Sequence, residues 1–194
     1  MEQSNFYAMM SRMKYINRWG LMNNTRQENI AEHSLEVALL AHALVTISNT
    51  RFGTNLNADR VAVMAIFHDA SEIITGDLPT PVKYYNEEIR KSYKQIENIS
   101  ERKILSMLPD DLKPSYEPLI DATKADIELE IYVKAADKLS ALIKCLSELS
   151  MGNKEFVKAE RTIREALDEM TLPALNVFME EFLPAYTLTL DEMS

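Results

Sequence analysis

Apolar residues recur along most of this chain at intervals of three and four, the spacing that gathers them on one face of an α-helix. Phe6, Met9, Met10, Met13 and Ile16 keep that interval and predict an amphipathic helix from Phe6 to about Trp19. After a polar loop, Asn29 followed by Glu32 has the form of a capping box with Asn in place of Ser or Thr, and predicts a long helix to about Ser48. Arg51 to Asn57, with Gly53 and two asparagines, reads as a turn, and Asn57 can cap a further helix through Thr75. Gly76 suits a left-handed helix end, and Pro79 and Pro81 keep the helix from resuming, so Asp77, Thr80 and Lys83 are expected on a loop. Asn86 to Leu108 predicts another amphipathic helix, and Pro109 to Pro118 a loop or short helix. Asp126 to Ser150, Lys154 to Met170 and Pro173 to Phe182 complete the pattern, with Gly152 and Asn153 as a break.

The composition agrees with this reading. Only four of 194 residues are glycine and the seven prolines are scattered, which favours an all-α fold. With 46% hydrophobic residues, a single compact helical domain over 1–194 is expected. The formal charge of −9 disfavours binding to a nucleic acid polymer, whereas a small anion needs only a local basic pocket. The lone cysteine, Cys145, excludes an internal disulfide and a thiolate metal cluster within one chain, which suggests a reducing compartment. The start, MEQSNFYAMM, lacks the pattern of a secretory signal, and no stretch was expected to approach the ~20 apolar residues that span a membrane. A cytoplasmic protein is the expectation, without a membrane partner.

The chemistry concentrates in IFHDASEIITGDLPTPV, Ile66 to Val82, where His68, Asp69 and Glu72 fall within about one helical turn. Ile66, Phe67, Ala70, Ile73 and Ile74 make the setting apolar, where ionised groups are costly unless paired or bound to a cation. A buried histidine satisfied by a neighbouring carboxylate is the plainer alternative. His33 lies in the polar first turns of its helix; His42, nine residues on, is half a rotation away and reads as a packing or surface residue. Arg18 and Trp19 can be a solvated charge and a core residue. Asp137, at the edge of an inward stripe, needs a partner: Lys134, Lys138 or a metal.

Taken in order, His33, then His68-Asp69, then Asp137 resembles the HD-domain superfamily of metal-dependent phosphohydrolases. Within it, NRW at 17–19, EHS at 32–34, HDASE at 68–72, GDLPTP at 76–81 and the Asp137 segment are similar to the bacterial 5′-deoxynucleotidase family over essentially all 194 residues. The resemblance implies one divalent ion, cobalt, manganese or another first-row metal, held by His33, His68, Asp69 and Asp137, two imidazoles and two carboxylates that leave positions for water and substrate. It implies hydrolysis of deoxyribonucleoside 5′-monophosphates with selection against ribonucleotides. Glu72 would exchange a proton with water or the leaving oxygen, and Arg18 would hold the phosphate through its planar fork of donors. Trp19 would wall the sugar pocket, Asp69 would contact substrate as well as metal, and Asp77 and Thr80 would bind or orient the nucleoside. A homodimer is expected from the resemblance and the methionine-rich helices.

Two rival readings remain at this stage. Another HD phosphohydrolase would act on a cyclic nucleotide, a nucleoside triphosphate or a guanosine polyphosphate, but a triphosphate asks for more cationic contacts than Arg18 and Lys83 offer. A noncatalytic module stabilised by its metal would need neither Glu72 nor the Arg18-Trp19 pair.

Overall fold

The computed structural model describes residues 3–83, 85–121 and 126–194. Its helices are α1 Phe6–Met10, α2 Ile30–Phe52, α3 Ala58–Phe67, α4 Glu72–Thr75, α5 Thr80–Lys83, α6 Glu87–Leu105, α7 Lys113–Ile120, α8 Ile127–Ser150, α9 Val157–Asp168 and α10 Pro173–Glu181. Short 3-10 turns cover Ser11–Tyr15, Lys154–Phe156, Leu183–Thr187 and Leu190–Met193. The fold is all-α; among the described residues the one β-type feature is an isolated bridge between Asn17 and Asn29. The residues group into two units that alternate along the chain: Met1–Met22, Gln27–Leu35 and Ile66–Ile127 form the first, and Asn23–Arg26, Glu36–Ala65 and Glu128–Ser194 the second.

Three asparagines start helices as their positions predict. Asn29 Oδ1 accepts from the N–H groups of Ala31 and Glu32 at 3.0 and 3.1 Å, Asn57 Oδ1 from Arg60 at 2.8 Å and Asn86 Oδ1 from Ile89 at 2.8 Å. Three expectations need correction. The first helix becomes a 3-10 turn and stops before Ile16, which is extended, because Asn17 pairs with Asn29. The helix expected through Thr75 breaks after Phe67: Ala70 N–H bonds Phe67 O, and Glu72 N–H bonds Asp69 O, both at 3.0 Å, the three-residue reach of a tightened turn. Helix formation then resumes briefly at Thr80–Lys83, because Pro81 falls in the first turn, where its missing N–H leaves no bond unmade.

The first unit buries Phe6, Ala70, Ile104, Leu105, Leu108 and Ile120 together, with Met10, Phe67 and Tyr116 against them. Phe6 and Phe67 both meet the Tyr116 ring edge-on, at 5.0 and 5.8 Å, contacts worth about 0.5–1.5 kcal/mol each beyond area burial. A second group joins Met13, Ile30 and Ile73, so the start of α2 and α4 share apolar neighbours. That packing sets His33 and His68 on a firm base.

In the second unit, Leu44, Leu139, Leu142, Phe156, Leu167 and Leu175 are fully buried. Inside it lies an ion pair, Lys144 with Glu148, both on α8. Glu148 also accepts from the N–H groups of Thr25 and Arg26 at 2.9 and 3.2 Å and from Asn153 Nδ2 at 2.8 Å, while Lys144 donates to Arg26 O. Contrary to the sequence expectation, α2 is long and apolar enough by length and composition to cross a membrane, but 56% of its most apolar window is buried within the protein. That burial, with His33 at 0% exposure, reads α2 as a core helix.

Candidate active site

The first unit brings seven of the predicted residues into one cluster: Arg18, Trp19, His33, His68, Asp69, Glu72 and Asp77. His33 comes from the first turn of α2, held by the Asn29 cap. His68 and Asp69 lie on the tightened turn after α3, and Glu72 begins α4. The Nε2 atoms of His33 and His68 are 3.5 and 3.1 Å from Asp69 Oδ2, and the rings are 5.2 Å apart. Ligand atoms of these three residues all lie within 4.8 Å of one another, a span one ion can bridge. Two neutral imidazoles and a carboxylate suit a divalent first-row metal, so the donor set passes the chemical test.

Electrostatics separates the two carboxyls. Burial pushes Asp69 upward, but the charge and hydrogen bond of His68, with His33 and Arg18, outweigh it and hold the acid below the usual range. Glu72 has the opposite balance: burial first, then the negative Asp69 and Asp77, push it up to about 9. Its Oε2 is buried and has no hydrogen-bond partner among the described residues. Asp77 is also raised by burial, though Arg18 and the Trp19 N–H oppose the shift. Carboxyls driven apart in this way are the pattern of an acid–base site.

Arg18 and Trp19 sit just past the Asn17–Asn29 bridge, where Arg18 N–H bonds Glu28 O at 2.9 Å. Trp19 takes φ 60°, the one positive φ outside glycine among the described residues. A bulky side chain there costs about 1–2 kcal/mol, so the surroundings must hold it. Its backbone N–H donates to Asp77 Oδ2 at 3.1 Å. Gly76, at φ 72° and ψ 165°, a region essentially reserved for glycine, turns the chain just before Asp77.

The remaining expectations fall differently. Thr80 starts α5 and is exposed. Lys83 pairs with Glu97 at 2.9 Å and lies 4.9 Å over the Tyr93 ring. Asp137 lies half-buried on α8 in the second unit, where Lys134 is 2.8 Å from Glu130. His42 is a half-exposed residue 3.8 Å from Asp59, in keeping with its surface reading. Sequence reasoning missed Glu28, whose Oε2 accepts from both Arg18 Nη1 at 3.0 Å and Trp19 Nε1 at 3.1 Å. No periodicity marks an acid in a polar loop.

The fold is that of the HD-domain phosphohydrolases: a Listeria innocua HD-domain phosphohydrolase superposes with TM-score 0.82 at 24% identity, covering 94% of this chain and 88% of that one. A cyanophage S-2L HD phosphohydrolase, DatZ, solved with dA and one catalytic zinc ion, superposes with TM-score 0.67 at 20% identity over 97% of this chain and all of its own. Residues 5–186 match the family model described as 5′-deoxynucleotidase YfbR-like, and the chain belongs to that family. It is 51% identical to a 5′-deoxynucleotidase of Erwinia tasmaniensis and 50% identical to 5′-deoxynucleotidase YfbR of Escherichia coli, in each case over all of this chain and 98% of the relative.

Proposed function

We propose that this protein is a metal-dependent 5′-deoxynucleotidase, which hydrolyses deoxyribonucleoside 5′-monophosphates to deoxyribonucleosides and inorganic phosphate and disfavours ribonucleotides. The observation that carries this is the joining of the His33–His68–Asp69 group to Glu72 and Arg18 in one unit of a chain half identical to proteins of that name.

His33, His68 and Asp69 would hold one divalent ion, with Asp137 as fourth ligand on the order of residues in the sequence. Such an ion supplies a Lewis acid that brings the pKa of water towards ~7 and offsets phosphate charge. The zinc named for the cyanophage neighbour supports a single-ion site of this kind.

The chain's own groups do the rest. Glu72, buried and one turn from His68, exchanges a proton with the attacking water or the departing 5′ oxygen. As water adds to phosphorus, the P–O5′ bond breaks and that oxygen leaves with a proton as the sugar hydroxyl. Arg18 grips the phosphate through its fork of donors. Trp19 walls the sugar and crowds a 2′-hydroxyl; Asp77 holds Trp19 and, with Thr80, orients the nucleoside.

A Glu72→Gln variant tests the assignment: the metal content of wild type with turnover reduced at least a hundredfold is expected. Full activity in that variant would remove Glu72 from the mechanism, and loss of metal would make it a ligand.

The cytoplasm is the proposed location, in keeping with a single cysteine, the buried Cys145. A homodimer is proposed as well, supported by Leu35 and Leu39, which lie one turn apart on α2 with 61% and 66% exposure. Light scattering showing a monomer at micromolar concentration would oppose it.

A further inference from the structure

Glu28 makes a connection that none of the roles above requires. A single oxygen, Oε2, accepts from the guanidinium of Arg18 at 3.0 Å and from the indole N–H of Trp19 at 3.1 Å. The guanidinium carbon of Arg18 in turn lies 6.0 Å from the centre of the Trp19 ring. The carboxylate is mostly buried, with 14% of its side chain exposed, so these bonds are shielded from competing water. The backbones also pair, Arg18 N–H to Glu28 O at 2.9 Å, which fixes the two segments side by side.

Trp19 needs such holding more than most residues do. Its backbone has the left-handed φ of 60°, and its main-chain N–H bonds Asp77. The indole, the part that would meet a sugar, is restrained through its Nε1–H, which donates to Glu28.

We infer that Glu28 is the positioning residue for sugar selection: it touches no substrate, but one of its oxygens orients the indole that excludes a 2′-hydroxyl and the guanidinium that takes the phosphate. This rests on the deoxynucleotidase reading of the site. It makes deoxy-over-ribo preference depend on an acid five residues before the nearest predicted ligand, His33, and it ties phosphate grip and sugar choice to one atom.

The two bonds converge on one oxygen, so an amide oxygen in the same place can accept both. Glu28→Gln therefore keeps the geometry and loses the charge, whereas Glu28→Met keeps the volume and loses the strong acceptor. Trp19 is the only tryptophan in the chain, so its fluorescence reports its environment without interference. The experiment measures kcat/KM for dAMP and AMP, and the anisotropy and acrylamide quenching of Trp19, in wild type and both variants, with circular dichroism as the check on folding. In Glu28→Met the deoxy-to-ribo ratio should fall about tenfold, the loss expected for one charge-assisted hydrogen bond, with a more mobile and more quenchable indole. Glu28→Gln should restore both readings to within about twofold of wild type.

A folded Glu28→Met protein with an unchanged ratio and unchanged anisotropy would overturn the inference. So would a Gln variant as impaired as the Met variant, since that would make the charge, and with it a plain ion pair to Arg18, the important feature. If Glu28→Met does not fold, Glu28→Ala takes its place: a lower ratio with a more mobile indole supports the inference, and wild-type ratio and anisotropy overturn it. A wild type that does not distinguish dAMP from AMP would instead count against the functional reading, while the anisotropy comparison would still decide whether Glu28 holds the indole.

Discussion

The backbone N–H of Trp19 donates to Asp77 Oδ2 at 3.1 Å, joining residues 58 apart in the chain. Through that bond the GDLPTP loop holds a tryptophan in a backbone conformation it would not choose. The strain and its restraint together place an aromatic wall beside Arg18, the phosphate-binding candidate.

If the φ of 60° is strained, Trp19→Gly should be more stable than Trp19→Ala by about 1 kcal/mol, the reverse of the order in a helix or strand. Urea denaturation of the two variants measures this. Equal midpoints, or a less stable glycine variant, would mean that the left-handed geometry is not kept in solution.

Arg18 lies between two roles. Its guanidinium lies 2.5 Å from His33 Nδ1 and also meets Glu28, so it borders the metal group without being a ligand: it has no lone pair to offer, and its positive charge opposes that of a cation bound beside it. Arg18→Ala should thus bind manganese at least as tightly as wild type while phosphate release falls at least a hundredfold at saturating metal. Calorimetry showing much weaker metal binding would make Arg18 a support for His33.

Glu148 should dominate the stability of its unit. Glu148→Ala leaves Lys144 in the interior without its carboxylate and strips the acceptor from the N–H groups of Thr25 and Arg26, at an expected cost of about 3–5 kcal/mol. Chemical denaturation reads this directly, and a loss below 1 kcal/mol would show the pair to be open to water.

The same residue predicts an acid effect. Burial opposes its ionisation, but hydrogen bonds from Lys144, Asn153 and Thr25 prevail and hold its carboxyl below the ordinary glutamate value. A depressed folded pKa gives stability that is fully present above the unfolded value of about 4.3 and drains away as pH falls below it. The stability gap between wild type and Glu148→Gln should therefore be constant from pH 8 to about 5 and narrow towards pH 3. A gap that widens in acid would reverse the sign and refute the assignment.

Much of this site could be read from residue order. His33, His68, Asp69 and Glu72 stand out as ligating or ionisable groups at the polar start of a helix or in an apolar run, whereas Arg18 and Trp19 read alone as a solvated charge and a core residue and are singled out by the family resemblance; the structure gathers all six in one unit. The local path was less legible. His68 to Glu72 has helical composition, yet three-residue hydrogen bonds take over there, a choice made by the packing of Ala70 and Ile73 rather than by propensity. Glu28 and Glu148 escaped notice for a different reason. One sits in an unpatterned loop, and the other has the i, i+4 spacing to Lys144 of an ordinary surface pair; only the partners that folding brings reveal them.

The most direct measurement is phosphate release by the purified, chelator-stripped protein from dAMP and from AMP, each with and without added manganese or cobalt. Release from dAMP is expected only when metal is restored, with AMP nearly inert. Equal turnover of the two nucleotides, or undiminished release after metal removal, would contradict it.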